Sequence, residues 1–129
     1  MLPSDIIAEL LRTVDSPDKL AAGAFARSNT GEQVDPFSGD ATCWCTLGAL
    51  VRAAVDESIL SISMINNRYA STLSYIQSAT GKLRWGQTLA TAIIDWSDNL
   101  VRSYPRHVAY TIWRDTMDRA YKLALVDGA

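Results

Sequence analysis

Hydrophobic positions recur at helical spacing over most of the chain, and turn-forming residues interrupt them at a few places. Ile6, Ile7, Leu10, Leu11 and Val14 follow Ser4 and Asp5, which predicts a helix over about 5–14 with Ser4 as its N-cap. Ser16-Pro17-Asp18 is a second start signal, and Leu20, Ala24, Ala21 and Phe25 continue it into a helix that stops near Arg27 or Ser28. Residues 29–40 mix turn formers with few apolar side chains, so the pattern makes them the longest loop. From Ala41 to Val55 only Thr42, Thr46 and Arg52 are polar, which predicts a helix apolar all round and therefore central. Gly48 and Ala49 in its middle would let a neighbouring helix approach closely. Residues 58–64 alternate in a way that suits a strand as well as a loop entering a helix. Ile65, Tyr69, Leu73 and Ile76 resume the helical step, and Gly81 is placed to end it. Trp85, Leu89, Ile93 and Trp96 form the stripe of a further helix ending near Asn99. Ser103 is positioned to cap a last one, with Pro105 early inside it and Ala109, Ile112, Trp113, Met117, Ala120 and Ala124 on its inner side.

The expected architecture is a single all-α domain over 1–129, five or six short helices bundled around the 41–55 helix. A chain of 129 residues, 48% hydrophobic and 20% charged, can hold such a core without disulfides or metals. No apolar run approaches the length of a membrane span and the first residues lack a signal-peptide pattern, which points to a cytoplasmic protein with no membrane role. The net charge of −2 conceals an asymmetry: residues 1–60 carry nine acids and four bases, residues 61–129 five acids and eight bases. With a pI of about 5.2 and no clustered basic face, the composition argues against nucleic-acid binding.

Residues that announce chemistry are scarce, with one histidine, two cysteines and no metal-ligand or phosphate-loop spacing, so no metal and no cofactor is expected. On a helix, Cys43 and Cys45 would point about 200° apart and could neither bridge nor share a metal. Their apolar surroundings favour buried, reduced thiols over a nucleophile. His107 is the one side chain with an unperturbed pKa near neutrality, and it falls on the outer side of the last helix with Tyr110, Arg114 and Asp118. Asp95 and Asp98 flank Trp96, with Arg102 four residues beyond Asp98; a carboxylate beside an aromatic can hold a raised pKa, although such groups more often fix a loop. Trp44, Trp85, Trp96 and Trp113 read as core indoles rather than a ligand cage.

The segment Ala41-Thr-Cys43-Trp44-Cys45-Thr-Leu47-Gly48-Ala49-Leu50 resembles an uncharacterised family of small bacterial, plasmid and phage proteins with a recurring Trp-Cys-x-x-Gly-Ala-Leu motif. Trp44, Cys45, Gly48, Ala49 and Leu50 match it. Gly23-Ala24-Phe25-Ala26-Arg27 with Gly31 is similar to the family's Gly-Ala-x-Ala-Arg stretch, and Asp95-Trp96-Ser97-Asp98 to its Trp-Asn-Asp element, with Ser97 where Asn is usual. Residues 108–120 are similar to its closing helix. The resemblance implies a shared fold over most of 20–124 and, from occurrence in mobile elements, an accessory or inhibitory role. The expected function is thus a non-catalytic protein-interaction or inhibitor module with a protein partner, self-association being left open. Its contact surface would be the acidic loop with Asp35, Phe37 and Asp40, or the face of Tyr110, Arg114 and Asp118. The alternative is a small enzyme or ligand-binding protein whose pocket joins Cys45, Trp96, Asp98 and His107.

Overall fold

The computed structural model describes residues 1–59, 61–81 and 86–129. The fold is mainly helical, with a small sheet that the periodicity did not announce. Helix α1 spans Pro3–Thr13; a single 3-10 turn follows at Pro17–Lys19, and then the short strands β1 (Ala26–Arg27), β2 (Gln33–Val34) and β3 (Cys43–Trp44). Helices α2 (Thr46–Ala53), α3 (Ile62–Arg68), α4 (Ala70–Thr80), α5 (Leu89–Ser103) and α6 (Arg106–Val126) complete the chain. The strands order β2-β1-β3, all antiparallel, with Ala26 opposite both Val34 and Trp44. Among the described residues no helix is long and apolar enough to cross a membrane.

Four expectations are corrected. The helix expected over 17–28 shrinks to the 3-10 turn, because Gly23 turns into the left-handed region at φ 79° and the chain pairs as β1. The loop 29–40 contains β2 and is pinned: the Pro36 carbonyl accepts from Trp44 Nε1 at 3.0 Å and from Arg52 Nη1 at 2.9 Å, while the Arg52 guanidinium lies over the Trp44 ring. The helix expected over 41–55 is a strand followed by a shorter helix; Ala21 N–H donates to Trp44 O at 2.9 Å, and this extended backbone satisfies groups a helix would have satisfied internally. The caps also differ. Ser4 is buried inside α1 with its N–H directed at the Ala129 carbonyl, and Asp5 instead accepts from Leu2 N–H. Ser103 ends α5 and bonds Asn99, leaving Pro105 before the first turn of α6.

Other expected elements stand. Residues 61–68 resolve the ambiguous stretch in favour of α3, capped by Ser61 accepting from Met64 N–H. Gly81 ends α4 in the left-handed conformation. The stripe Leu89–Ile93–Trp96 lies on α5, which runs on to Ser103; Trp85 lies outside the described residues.

Helix α2 is central in burial: Leu47, Ala49 and Leu50 are fully enclosed, and α1 and α5 pack on it. Gly48 explains the tightest approach, although its neighbour is the main chain at Phe25 rather than another helix. A Cβ there would stand 1.9 Å from the Phe25 carbonyl oxygen. At its start, the fully buried Trp113 donates to Thr46 Oγ1 at 3.0 Å, and Thr46 shares a 2.7 Å hydroxyl bond with Ser97. The network ties α2, α5 and α6 together and leaves the indole N–H satisfied.

The α2 C-terminus turns through Val55, whose φ of 52° is the left-handed region. Val55 N–H bonds Arg52 O and Asp56 N–H bonds Val51 O, the paired closing bonds of a Schellman motif. A β-branched residue is ill suited to this position, and Val55 is 73% exposed, so packing does not compensate it. Asp56 then accepts from Ser58, Tyr69 and Arg68, and these bonds hold its carboxyl well below the usual carboxylate range.

Two stability measurements test this description. In an ordinary helix interior Gly→Ala gains about 1 kcal/mol, whereas Gly48→Ala is expected to lose about 1–3 kcal/mol because main chain cannot yield as a side chain does. Urea unfolding gives the sign. Val55→Gly is expected to gain about 1 kcal/mol by relieving the left-handed strain; an unchanged or lower denaturation midpoint would contradict the strain.

Candidate functional site

A cavity of about 270 Å³ lies where the bend at 23–25 meets the start of α2 and one face of α5. Gly23, Ala24 and Phe25 form one wall, Cys45 marks the start of α2, Ile62 the start of α3, and Ile94 and Asp98 the α5 side. Each is there for a local reason. Phe25 O accepts the Cys45 N–H at 3.1 Å, which fixes the bend against α2 beside Gly48. Ile94 and Asp98 are one helical turn apart, so both face the same way from α5.

Asp98 is the charged residue in the wall of this mainly apolar cavity. Its side chain is 13% exposed; Oδ2 accepts from Gly23 N–H at 3.3 Å, and the buried Oδ1 has no hydrogen-bond partner among the described residues. Arg102 Nη2 stands 4.0 Å from Oδ2, beyond hydrogen-bond range. Burial pushes the Asp98 carboxyl above its ordinary pKa; the Gly23 N–H and the charge of Arg102 oppose the shift and do not cancel it.

Cys45 occupies the N-cap of α2, its Sγ accepting from Gly48 N–H at 3.4 Å. Burial pushes its thiol up to about 11, the nearby Asp98 adding to the rise, while the amides of Gly48 and Leu47 favour the thiolate. A thiol so placed is a packing and capping group near neutral pH and no ready nucleophile. Cys43, expected to be buried like Cys45, is half-buried in β3 with its thiol directed at Arg27 O.

The structure therefore joins Cys45 and Asp98 but not the other two members of the alternative pocket. Trp96 is half-buried against the core, outside the cavity wall, and His107 is exposed in the first turn of α6. The two surfaces expected to meet a partner are largely engaged within the chain. Phe37 packs on the core, its N–H donating to Asp35 Oδ1 at 2.8 Å, and Asp40 closes a turn with Ser38. Tyr110 is buried and stacked on Trp113, a correction to its expected outward position: α6 faces the core with residues 109, 110, 113, 116, 117 and 120, a wider arc than the periodicity marked. Arg114 is exposed and lies over the Tyr110 ring, and Asp118 pairs with Lys122 one helical turn on at 3.0 Å. Gly23, Ala24, Phe25, Ile62 and Ile94 were missed as site residues, since only the bend at Gly23 brings the first three to α5.

The raised Asp98 carboxyl has a consequence for stability. The folded protein keeps Asp98 protonated to higher pH than the unfolded chain does, so stability falls as pH rises from the unfolded pKa through the folded one. Asp98→Asn removes that penalty. Its melting temperature is expected to exceed that of the wild type at about pH 7 and to converge with it as pH falls below about 4. Equal melting temperatures across this range would mean that Asp98 is not penalised by burial.

Searches of protein-family models, curated proteins and solved structures give no match to this chain, so the cavity is interpreted from its own chemistry.

Proposed function

We propose that this protein binds a small, mainly apolar molecule in the cavity between the 23–25 bend and α5. The observation that carries this is the cavity itself, about 270 Å³ and lined mainly by the apolar groups of Ala24, Phe25, Cys45, Ile62 and Ile94, with Asp98 as the charged residue at its wall. A mainly apolar pocket with a small number of polar groups at its wall is the usual form of a ligand site. An aspartate retained where burial opposes its charge is the kind of local penalty found at functional positions. The size is adequate, since an apolar cavity of about 150 Å³ already accepts benzene. Binding without covalent chemistry follows from Cys45, whose thiol is protonated near neutral pH. Docking of a protein through Phe37 or Tyr110 has less support, because both side chains pack within the chain.

The test is a thermal-shift titration with toluene on the wild type and on Ile94→Trp, which fills the cavity from α5. A ligand that binds only the native state stabilises it by about 2.7 kcal/mol at a hundredfold excess over Kd. The wild type is expected to show a concentration-dependent rise and a folded Ile94→Trp little or none. No shift in the wild type, or the same shift in both proteins, would reject the cavity as the site.

A further inference from the structure

We propose that a second cavity, of about 240 Å³, binds a small organic cation of the arylalkyl ammonium class, its ring against Phe25, Val34, Phe37 and Ile59 and its charge met by the carboxylates of Asp35 and Glu57. This cavity adjoins the first at Ala24 and Phe25, and the proposal stands or falls independently of the one above.

The walls come from three parts of the chain. Phe25 belongs to the bend before β1, Val34 and Phe37 to β2 and the turn after it, and Ile59 to the connection between α2 and α3. All four are half-buried, so each keeps apolar surface to offer a ligand. An apolar cavity of about 150 Å³ already accepts benzene, so this one has room for a ring and a short chain. Removing that ring from water supplies the affinity.

The lining charges decide the sign of the ligand. Asp35 and Glu57 line the cavity, and among the described residues no basic one does. The arginines of these segments are committed elsewhere. Arg52 Nη1 donates to Pro36 O with its guanidinium over Trp44, and Arg68 Nη1 donates to Asp56 Oδ2 at 2.8 Å and to Ser58 Oγ at 2.7 Å. Asp35 Oδ1 accepts from Phe37 N–H, and the Glu57 carboxylate has no bonded partner among the described residues. An anionic ligand would meet two like charges here, and a neutral one would leave both carboxylates unpaired. A bare metal ion fits poorly, because it asks for more ligands than two side chains supply and no group of three or more metal-binding side chains occurs among the described residues.

Both carboxylates sit on turns that the fold holds before any ligand arrives. The Pro36 carbonyl is bonded to Trp44 and Arg52, which fixes the turn after Asp35. The bonds that Asp56 takes from Ser58, Tyr69 and Arg68 fix the main chain beside Glu57. A ligand entering between two anchored turns has little chain to order.

Amide chemical-shift titrations with phenethylamine, 3-phenylpropionate and ethylamine test the assignment. Phenethylamine is expected to bind with shifts centred on residues 33–37 and 57–59, about tenfold or more tighter than ethylamine, which lacks the ring. 3-Phenylpropionate has the same ring and the opposite charge, and should bind about tenfold weaker. The double variant Asp35→Asn, Glu57→Gln should lose about tenfold for phenethylamine. Both residues are exposed, and asparagine keeps the oxygen that accepts from Phe37 N–H, so this variant should fold. Ile94→Trp, which fills the first cavity, should bind phenethylamine as the wild type does. Equal affinity for phenethylamine and 3-phenylpropionate, or full affinity in the double variant, would overturn the choice of a cation. Ethylamine binding as tightly as phenethylamine would reduce the site to exposed carboxylates, and loss of binding in Ile94→Trp would move the amine to the first cavity; either result overturns the proposal. Absence of phenethylamine binding rejects it whatever toluene does at the first cavity.

Discussion

Phe25 and Gly48 meet main chain to main chain, and that contact holds one wall of the cavity against the start of α2. The Phe25 carbonyl sits where a Cβ of residue 48 would be, and it accepts the N–H of Cys45, the residue that caps α2. A carbonyl pressed against a helix start must find a donor there, because a buried unpaired backbone acceptor costs free energy comparable to a lost hydrogen bond. The contact therefore holds the 23–25 bend against α2, while the Gly23 N–H bonded to Asp98 Oδ2 ties the bend to α5. Lengthening it by one methyl group would disturb the helix start, the bend and the cavity together.

Helix α5 carries the second half of this arrangement on neighbouring positions. Ser97 is fully buried and joins Thr46 and Trp113 in a hydroxyl and indole network, while Asp98, the next residue, turns toward the bend. The network completes its hydrogen bonds inside the protein and fixes the rotation of α5 relative to α2 and α6. Asp98 does not complete its own among the described residues. A satisfied polar group and one that lacks a partner among the described residues thus sit on neighbouring positions of α5.

Legibility in the sequence varied by element for physical reasons. Helices α1, α4, α5 and α6 bury a stripe against neighbouring helices, and a stripe leaves a helical period wherever it packs. Residues 17–45 bury their apolar side chains in a bend and three two-residue strands, too short to leave a period of two. Their alanines have high helix propensity, and pairing with Trp44 and Val34 overrides it. Tyr110 was misplaced for a related reason: α6 is enclosed over a wider arc, and a tyrosine can be buried to its ring and still read as polar.

By itself the sequence determined a mainly helical chain, the central burial of residues 47–51, the helix stop at Gly81 and the need for a small residue at position 48. These follow from local propensity and from hydrophobic spacing, which act over a few residues and are written in the order of the chain. Cys45 and Asp98 were both legible as candidates, but their partners were not. Whether Asp98 is a surface cap or a buried acceptor depends on Gly23, 75 positions away. Only the tertiary structure decided this, because the desolvation of a charge is set by everything packed around it and leaves no period in the sequence.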